Sequence, residues 1–307
     1  MPGKHVAVLM GGWSAEREVS LSSGTACADA LEGQGYRVTR IDVKRDIASV
    51  LASLKPDAAL NVLHGRPGED GTLQGILEVL AIPYSHSGVR SSAVAMQKDV
   101  AKVLLQAAGV PVAESLVISR FEAAKRHAMP PPYVLKPIAE GSSVGIFIVT
   151  KAHEHPPQEL YRDDWAFGDL ILCERFVPGR ELTCAVIGEQ TLGVIDIVST
   201  TSFYDYEAKY TPGGSRHILP AEISTGVYEE VRRLSLAAHN ALGCRGVTRT
   251  DFRYDDGVEG VKGLACLEVN TQPGMTQTSL VPELAAHAGM SFGELVQWMV
   301  EDASLNR

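Results

Sequence analysis

The sequence has no C-x-x-C pair, and its five cysteines (Cys27, Cys173, Cys184, Cys244, Cys266) lie far apart. A paired-thiol redox or zinc motif is thereby excluded, and the cysteines read as reduced, mostly buried apolar residues of a cytosolic protein. No apolar run reaches transmembrane length, and "MPGKHVAVLMGG" is too short a run for a secretory signal. Basic charge is scarce: 28 Lys and Arg face 37 Asp and Glu, a net of −9. That balance argues against nucleic-acid or anionic-membrane partners, though not against a small basic pocket. There is no G-x-G-x-x-G fingerprint, since the first loop reads "GGWSAERE"; a dinucleotide-dependent oxidoreductase is disfavoured. Internal repeats and low-complexity tracts are absent too. What remains is a cytoplasmic globular chain of 307 residues, 45% hydrophobic and 21% charged. Two or three compact cores fit in that length.

The chain changes character twice. Over roughly 1–95, strand patterns ("HVAVLM", "YRVTRIDV", "AALNVLHG") alternate with helical ones, including Ala26 to Leu31 and "GTLQGILEVL". Alternation of this kind predicts a doubly wound parallel α/β domain with ligands beyond the carboxyl ends of its strands. A single long helix, about Ala93 to Ala108, then leads to an α+β lobe over 96–180. Its strands are "PVAESLVIS", "YVLKP", "GIFIVT" and "DLILCERFV", with a short helix near "FEAAKRHA". A second α+β lobe over 181–307 opens with the hairpin "RELTCAVIG"/"TLGVIDIVS". The polar loop "YDYEAKYTPGGSRH" follows, then a helix near Gly226 to Leu242, the strands "GVTRTDFRY" and "LACLEVN", and two final helices. The expected class is α/β and α+β, in three domains.

Chemistry concentrates at the end of "LACLEVN". Glu268 and Asn270 sit two residues apart on a strand and so share a face. If "TRTDF" pairs alongside, Asp251 joins them, and three oxygen donors suit a hard cation such as Mg²⁺. The same residues also suit solvated acids and a turn-starting amide. Arg249, on the face of Asp251, is either a salt-bridge partner or a stabiliser of charge on a reacting oxygen. "EGSSVG", just after Lys136, is a glycine-flanked loop able to offer N–H groups to phosphate, or an ordinary hairpin turn. Lys136 ends an apolar strand, where a lysine needs an anionic partner. Read locally, Lys98 is a solvated helix lysine, and Glu174 and Glu181 are exposed acids around a Pro-Gly turn. Glu16 and His64 lie at strand ends, as site residues or as a helix start and a turn histidine. The tyrosine-rich loop with Lys209 and Tyr210 reads as a lid or an exposed polar loop.

In order along the chain, "GGWSAEREVSLSSG", "LHGRPGEDGTLQGILE", "IPYSHSG", "LKP", "EGSSVG", "FYDYEAKY", "LEVNTQPGMT" and "SLVPELAAHAGMSF" resemble the D-alanine–D-alanine ligase family of the ATP-grasp fold. The resemblance runs almost end to end. It implies joining of two D-alanines by way of a D-alanyl phosphate, with ADP and phosphate released, for peptidoglycan precursors. ATP would contact Lys98, Lys136, Ser143, Glu174, Glu181 and Lys209, with its adenine against the backbone of Phe176 and Val177. Two Mg²⁺ per subunit, replaceable by Mn²⁺, would bind Asp251, Glu268 and Asn270. Glu16 would receive the first D-alanine's ammonium, with His64 beside it. Arg249 and the Gly274 amide would form an oxyanion hole, while Ser279 and Leu280 would meet the second D-alanine's carboxylate. Glu16, Ser142 and Tyr210 would form a hydrogen-bonded trio, and the tyrosine favours an amine over a D-lactate acceptor. A homodimer is expected. The chain departs from the family at Trp13, in "PIAEGSS", at Thr250 and at Gln272, and none of these departures removes a charged or metal-ligating group. Another ATP-dependent carboxylate–amine ligase is the nearest alternative. A nucleotide-binding regulator without turnover should lack one of Lys136, Arg249, Asp251, Glu268 or Asn270, and all are present.

Overall fold

The computed structural model describes residues 3–141, 145–199, 214–276 and 278–307. Four expected site residues, Ser142, Ser143, Lys209 and Tyr210, lie outside the described residues, as does most of the expected lid loop. In the first sheet, β1 (His5–Met10) runs parallel to both neighbours, β2 (Arg37–Asp42) and β3 (Ala58–Asn61). Strand β1 is buried from His5 to Leu9, as befits a central parallel strand covered on both faces. Helix α1 (Arg17–Gly33) is far longer than the stretch Ala26 to Leu31 that the apolar pattern marks. The first half of its buried stripe is Ser20, Ser23 and Gly24, small residues that carry no hydrophobic signal. Helices α2 (Ile47–Leu54) and α3 (Thr72–Val79) complete the crossovers.

The single helix expected over Ala93 to Ala108 is two. Helix α4 (Val89–Met96) ends where Gln97 turns extended, and α5 (Lys98–Ala107) begins anew. The cause is tertiary: the Lys98 amide bonds the carbonyl of Ile138, 3.0 Å away, rather than continuing the α4 ladder. Past this break Lys102 reaches Glu174 of the second sheet.

That sheet is antiparallel, in the order β4 (Ser115–Ser119), β7 (Leu170–Arg175), β5 (Tyr133–Pro137), β6 (Phe147–Val149), with α6 (Arg120–Lys125) after β4. The third is antiparallel as well, in the order β10 (Ser215–Ile218), β9 (Gln190–Ser199), β8 (Arg180–Ile187), β11 (Val247–Tyr254), β12 (Leu264–Asn270). Helix α7 (Thr225–Ala241) covers one face of it with Val227, Val231, Leu234 and Ala238. Helices α8 (Leu280–His287) and α9 (Phe292–Glu301) pack into one cluster with Val6, Val8 and Leu31 of the first sheet and α1. Ser291 and Glu294 form a capping box that starts α9, a signal visible as S-x-x-E in the sequence. The C-terminal helices thus join the third sheet to one face of the first through a shared apolar cluster.

Candidate active site

The pairing of β11 with β12 decides the geometry. Asp251 lies opposite Glu268 and Arg249 opposite Asn270, so these four side chains share one face at the strand ends. The Asp251 carboxylate is held by Arg249 in a bidentate pair at 2.8 and 2.7 Å, and by the Thr183 hydroxyl at 2.6 Å. Glu268 pairs with Lys98 at 3.2 Å, and the same ammonium donates to the Glu140 carbonyl at 2.6 Å. The Asn270 side-chain oxygen accepts from the Gln272 amide. Thr250 faces the other way; it is buried, and its hydroxyl has no partner among the described residues.

Two cavities meet over this strand end. The first is lined by Glu16, His64, Glu69, Arg249, Asn270, Gly274, Ser279 and Leu280. The second is lined by Lys136, Glu174, Phe176, Val177, Glu181 and Asp251. Lys98, Glu140, Gly141 and Glu268 belong to both and form the wall between them. The residues expected for the amino acids therefore fall in one cavity, and the described residues expected for the nucleotide in the other.

The first cavity is built by loops at the carboxyl ends of parallel strands, where such sheets bind ligands. After β1, Gly11 and Gly12 both take positive φ. The Gly11 amide bonds the Ser20 hydroxyl, which donates in turn to the Val62 carbonyl. The Ser14 hydroxyl donates to the His64 carbonyl at 2.7 Å, tying the loops of β1 and β3 together. Glu16 sits at the start of α1 without making a capping bond. Buried His64 and the mostly covered Glu69 lie 3.5 Å apart. Burial opposes a charged His64 ring, but Glu69's hydrogen bond and charge, with Glu16 adding, lift its pKa above the ordinary value. Burial, then the Glu16 charge, raises the Glu69 pKa against His64's opposing pull. At the far side, a Cβ at Gly274 would come within 2.8 Å of the Ser279 hydroxyl and would push it from its bonds to Thr276.

In the second cavity one oxygen of buried Glu174 is shared by Lys136 at 3.1 Å and Lys102 at 2.8 Å. Burial alone would raise the Glu174 pKa, but the two ammonium groups outweigh it and hold it below the usual carboxylate range. Arg253 donates to the Val177 carbonyl, lies near Glu181 and sits over the Phe176 ring, fixing the segment between β7 and β8.

The sequence reading missed Glu69, Glu140, Lys102 and Gln272. Lys102 follows Lys98 by four residues and so shares its helical face, a signal that was legible. Gln272 reads as a variable turn residue, yet it is buried and accepts from Asn61 at 2.7 Å while donating to the Leu63 carbonyl at 2.6 Å. It clamps the end of β3 to the turn after β12.

Two antiparallel lobes closing on a lysine-lined cleft, with an α/β domain at its mouth, define an ATP-grasp enzyme. Residues 104–301 match the family described as D-ala D-ala ligase C-terminus. A D-alanine–D-alanine ligase from Rhodopseudomonas palustris (strain BisB18) is 71% identical over 304 residues, 99% of each chain. One from Afipia carboxidovorans is 69% identical over 99% of each chain. The solved D-alanine–D-alanine ligase from Bacillus anthracis complexed with ATP superposes with a TM-score of 0.82 at 29% identity, covering 98% of this chain and 97% of that one. The VanG D-Ala:D-Ser ligase from Enterococcus faecalis gives 0.81 at 30% identity, covering 97% and 99%. The chain belongs to the D-alanine–D-alanine ligase family.

Proposed function

We infer that the two cavities divide one reaction between them, the ATP-dependent joining of two D-alanines to D-alanyl-D-alanine with release of ADP and phosphate. The observation that carries this reading is the shared wall: Lys98 and Glu268 face the amino-acid cavity and the nucleotide cavity at once. A carboxylate resists attack by an amine because its oxygen leaves poorly. In the proposed sequence the first D-alanine's carboxylate oxygen attacks the γ-phosphorus of ATP, breaking the bond to ADP and giving a D-alanyl phosphate. The second D-alanine's amine, having lost a proton, attacks the acyl carbon; the bond from that carbon to the bridging oxygen breaks, and phosphate leaves with that oxygen.

Each cavity supplies matching groups. Glu16 receives the first ammonium, with His64 beside it and Glu69 fixing the ring. Ser279 and Leu280 receive the second carboxylate. Arg249 and the Gly274 N–H stabilise the tetrahedral oxyanion, each by about 3 kcal/mol. Lys98, Lys136, Ser143, Glu174, Glu181 and Lys209 bind the nucleotide, with adenine on the backbone of Phe176 and Val177. Glu16, Ser142 and Tyr210 link the first domain to the glycine-rich loop and the lid, which keep water from the acyl phosphate.

Asp251, Glu268 and Asn270 can each turn an oxygen to a cation, and both carboxylates already hold cationic partners. Such a donor set fits a hard divalent cation. We assign two Mg²⁺ per subunit to it, with Mn²⁺ able to substitute; bound there, the ions would offset charge on the phosphate oxygens. The reading also places the protein in the cytoplasm as a homodimer, with domains over 1–95, 96–180 and 181–307, and in peptidoglycan precursor synthesis. Among the described residues no helix is long and apolar enough to cross a membrane. The test is ADP release with ATP and Mg²⁺ against D-alanine, D-serine, D-lactate and L-alanine, with product mass. D-Alanine alone should give a dipeptide with stoichiometric ADP; turnover on a different acid would redirect the assignment.

A further inference from the structure

Lys102 lines neither cavity, yet it is 4% exposed and its ammonium lies 2.8 Å from Glu174. It lies on α5, behind the carboxylate, while Lys136 reaches the same oxygen from β5 at 3.1 Å. Two buried cations thus share one buried anion, and the trio carries one positive charge more than it neutralises. Burying such an excess is costly unless an anion offsets it. Of the two lysines, Lys136 borders the nucleotide cavity and Lys102 does not.

We propose that Lys102 is a positioning residue for the nucleotide: it neutralises Glu174 from behind, so that the charge of Lys136 is left to act on the triphosphate. The proposal rests on the nucleotide assignment above. Without Lys102, Glu174 and Lys136 form a closed one-to-one pair with no net charge to offer. Sequence spacing supports the division of labour, because Lys98 and Lys102 project from one helical face. Lys98 goes to the shared wall at Glu268, and Lys102 to the back of Glu174.

The test compares binding of ATP with binding of adenosine, which has the base and ribose but no phosphates. In the unaltered protein ATP should bind the tighter; equal affinities there would sink the nucleotide assignment itself and not the role of Lys102. Lys102→Met should weaken ATP about tenfold while moving adenosine less than about twofold. Lys102→Arg should restore the preference. Adding Glu174→Gln to Lys102→Met returns the excess positive charge and should recover the ATP-to-adenosine ratio, which a merely structural lysine would not do. Thermal unfolding reports whether each variant is folded. If Lys102→Met alone does not fold, Lys102→Gln, which keeps a polar side chain beside Glu174 but removes the charge, should lower the ratio in its place. Parallel loss of ATP and adenosine binding, or an unchanged ratio throughout, would overturn the proposal.

Discussion

The cavity beside Glu16 and the cavity beside Glu174 meet at Glu268, but they handle charge in opposite ways. The first gathers Glu16, Glu69 and Glu140 around a single buried histidine, and the carboxyl pKa values of Glu69 and Glu140 are pushed up, chiefly by burial. In the second, Lys136, backed by Lys102 from outside the cavity, meets a buried carboxylate whose pKa is pushed down. Clustered carboxylates around a histidine suit an ammonium, and a lysine aimed into a cleft suits a polyphosphate, so the two ends of the reaction are sorted before any substrate arrives. A chain of net charge −9 achieves this by burying its few cations where they act, not by a basic surface.

Glu268 belongs to both regions, so its loss should be the most damaging. Glu268→Gln is expected to cut ligation on the order of 10³-fold while leaving part of the ATP affinity, read by turnover and by calorimetry. Full activity would remove the metal assignment. Next come substitutions confined to one side. Glu69→Gln should raise KM for D-alanine about tenfold and leave KM for ATP nearly unchanged, and Lys136→Met should do the reverse. If each substitution moved both constants equally, the division between cavities would fail. Tyr210→Phe should raise D-lactate use relative to D-alanine several-fold. The effect should grow at low pH, where an ammonium must still lose its proton and a hydroxyl need not. An unchanged acceptor preference would refute the tyrosine's role.

The smallest effect contrasts His64 with the histidines outside the site. His86 and His239 are buried, and burial, the larger cause in both, pushes their pKa values down to about 4. Unfolded, each binds a proton near pH 6.5, so their contribution to stability is fully present above that and falls as pH drops toward 4. The loss is on the order of 2–3 kcal/mol for each. His64 has the opposite sign: its raised pKa favours the folded state at low pH, and that gain fades as pH rises through the folded value. Replacing His239 with Asn should therefore flatten the fall in melting temperature between about pH 7 and pH 5. An unaltered slope would show that this ring is not held neutral.

These contrasts also mark what the sequence could reveal. The parallel first sheet follows from strand–helix alternation, and the β8–β9 hairpin and the shared face of Glu268 and Asn270 from strand patterns and spacing; the structure pairs β11 with β12 as the spacing alone assumes. The α4–α5 break was not legible, because its cause is a backbone bond to Ile138, a residue forty positions away in the chain. The first half of α1 was hidden by its small buried residues. Glu69 and Lys102 look like surface charges until the fold places each against one opposite charge in the interior. Gln272 gave no signal at all; its two side-chain bonds reach across more than two hundred residues.

The central claim is that what occupies the cavity beside Glu16 reacts directly with what occupies the cavity beside Glu174. Supplying D-alanine with heavy oxygen in its carboxylate, together with ATP and Mg²⁺, tests it by mass spectrometry of the released phosphate. The account predicts one heavy oxygen carried into phosphate for each dipeptide made. Unlabelled phosphate accompanying full dipeptide formation would contradict it.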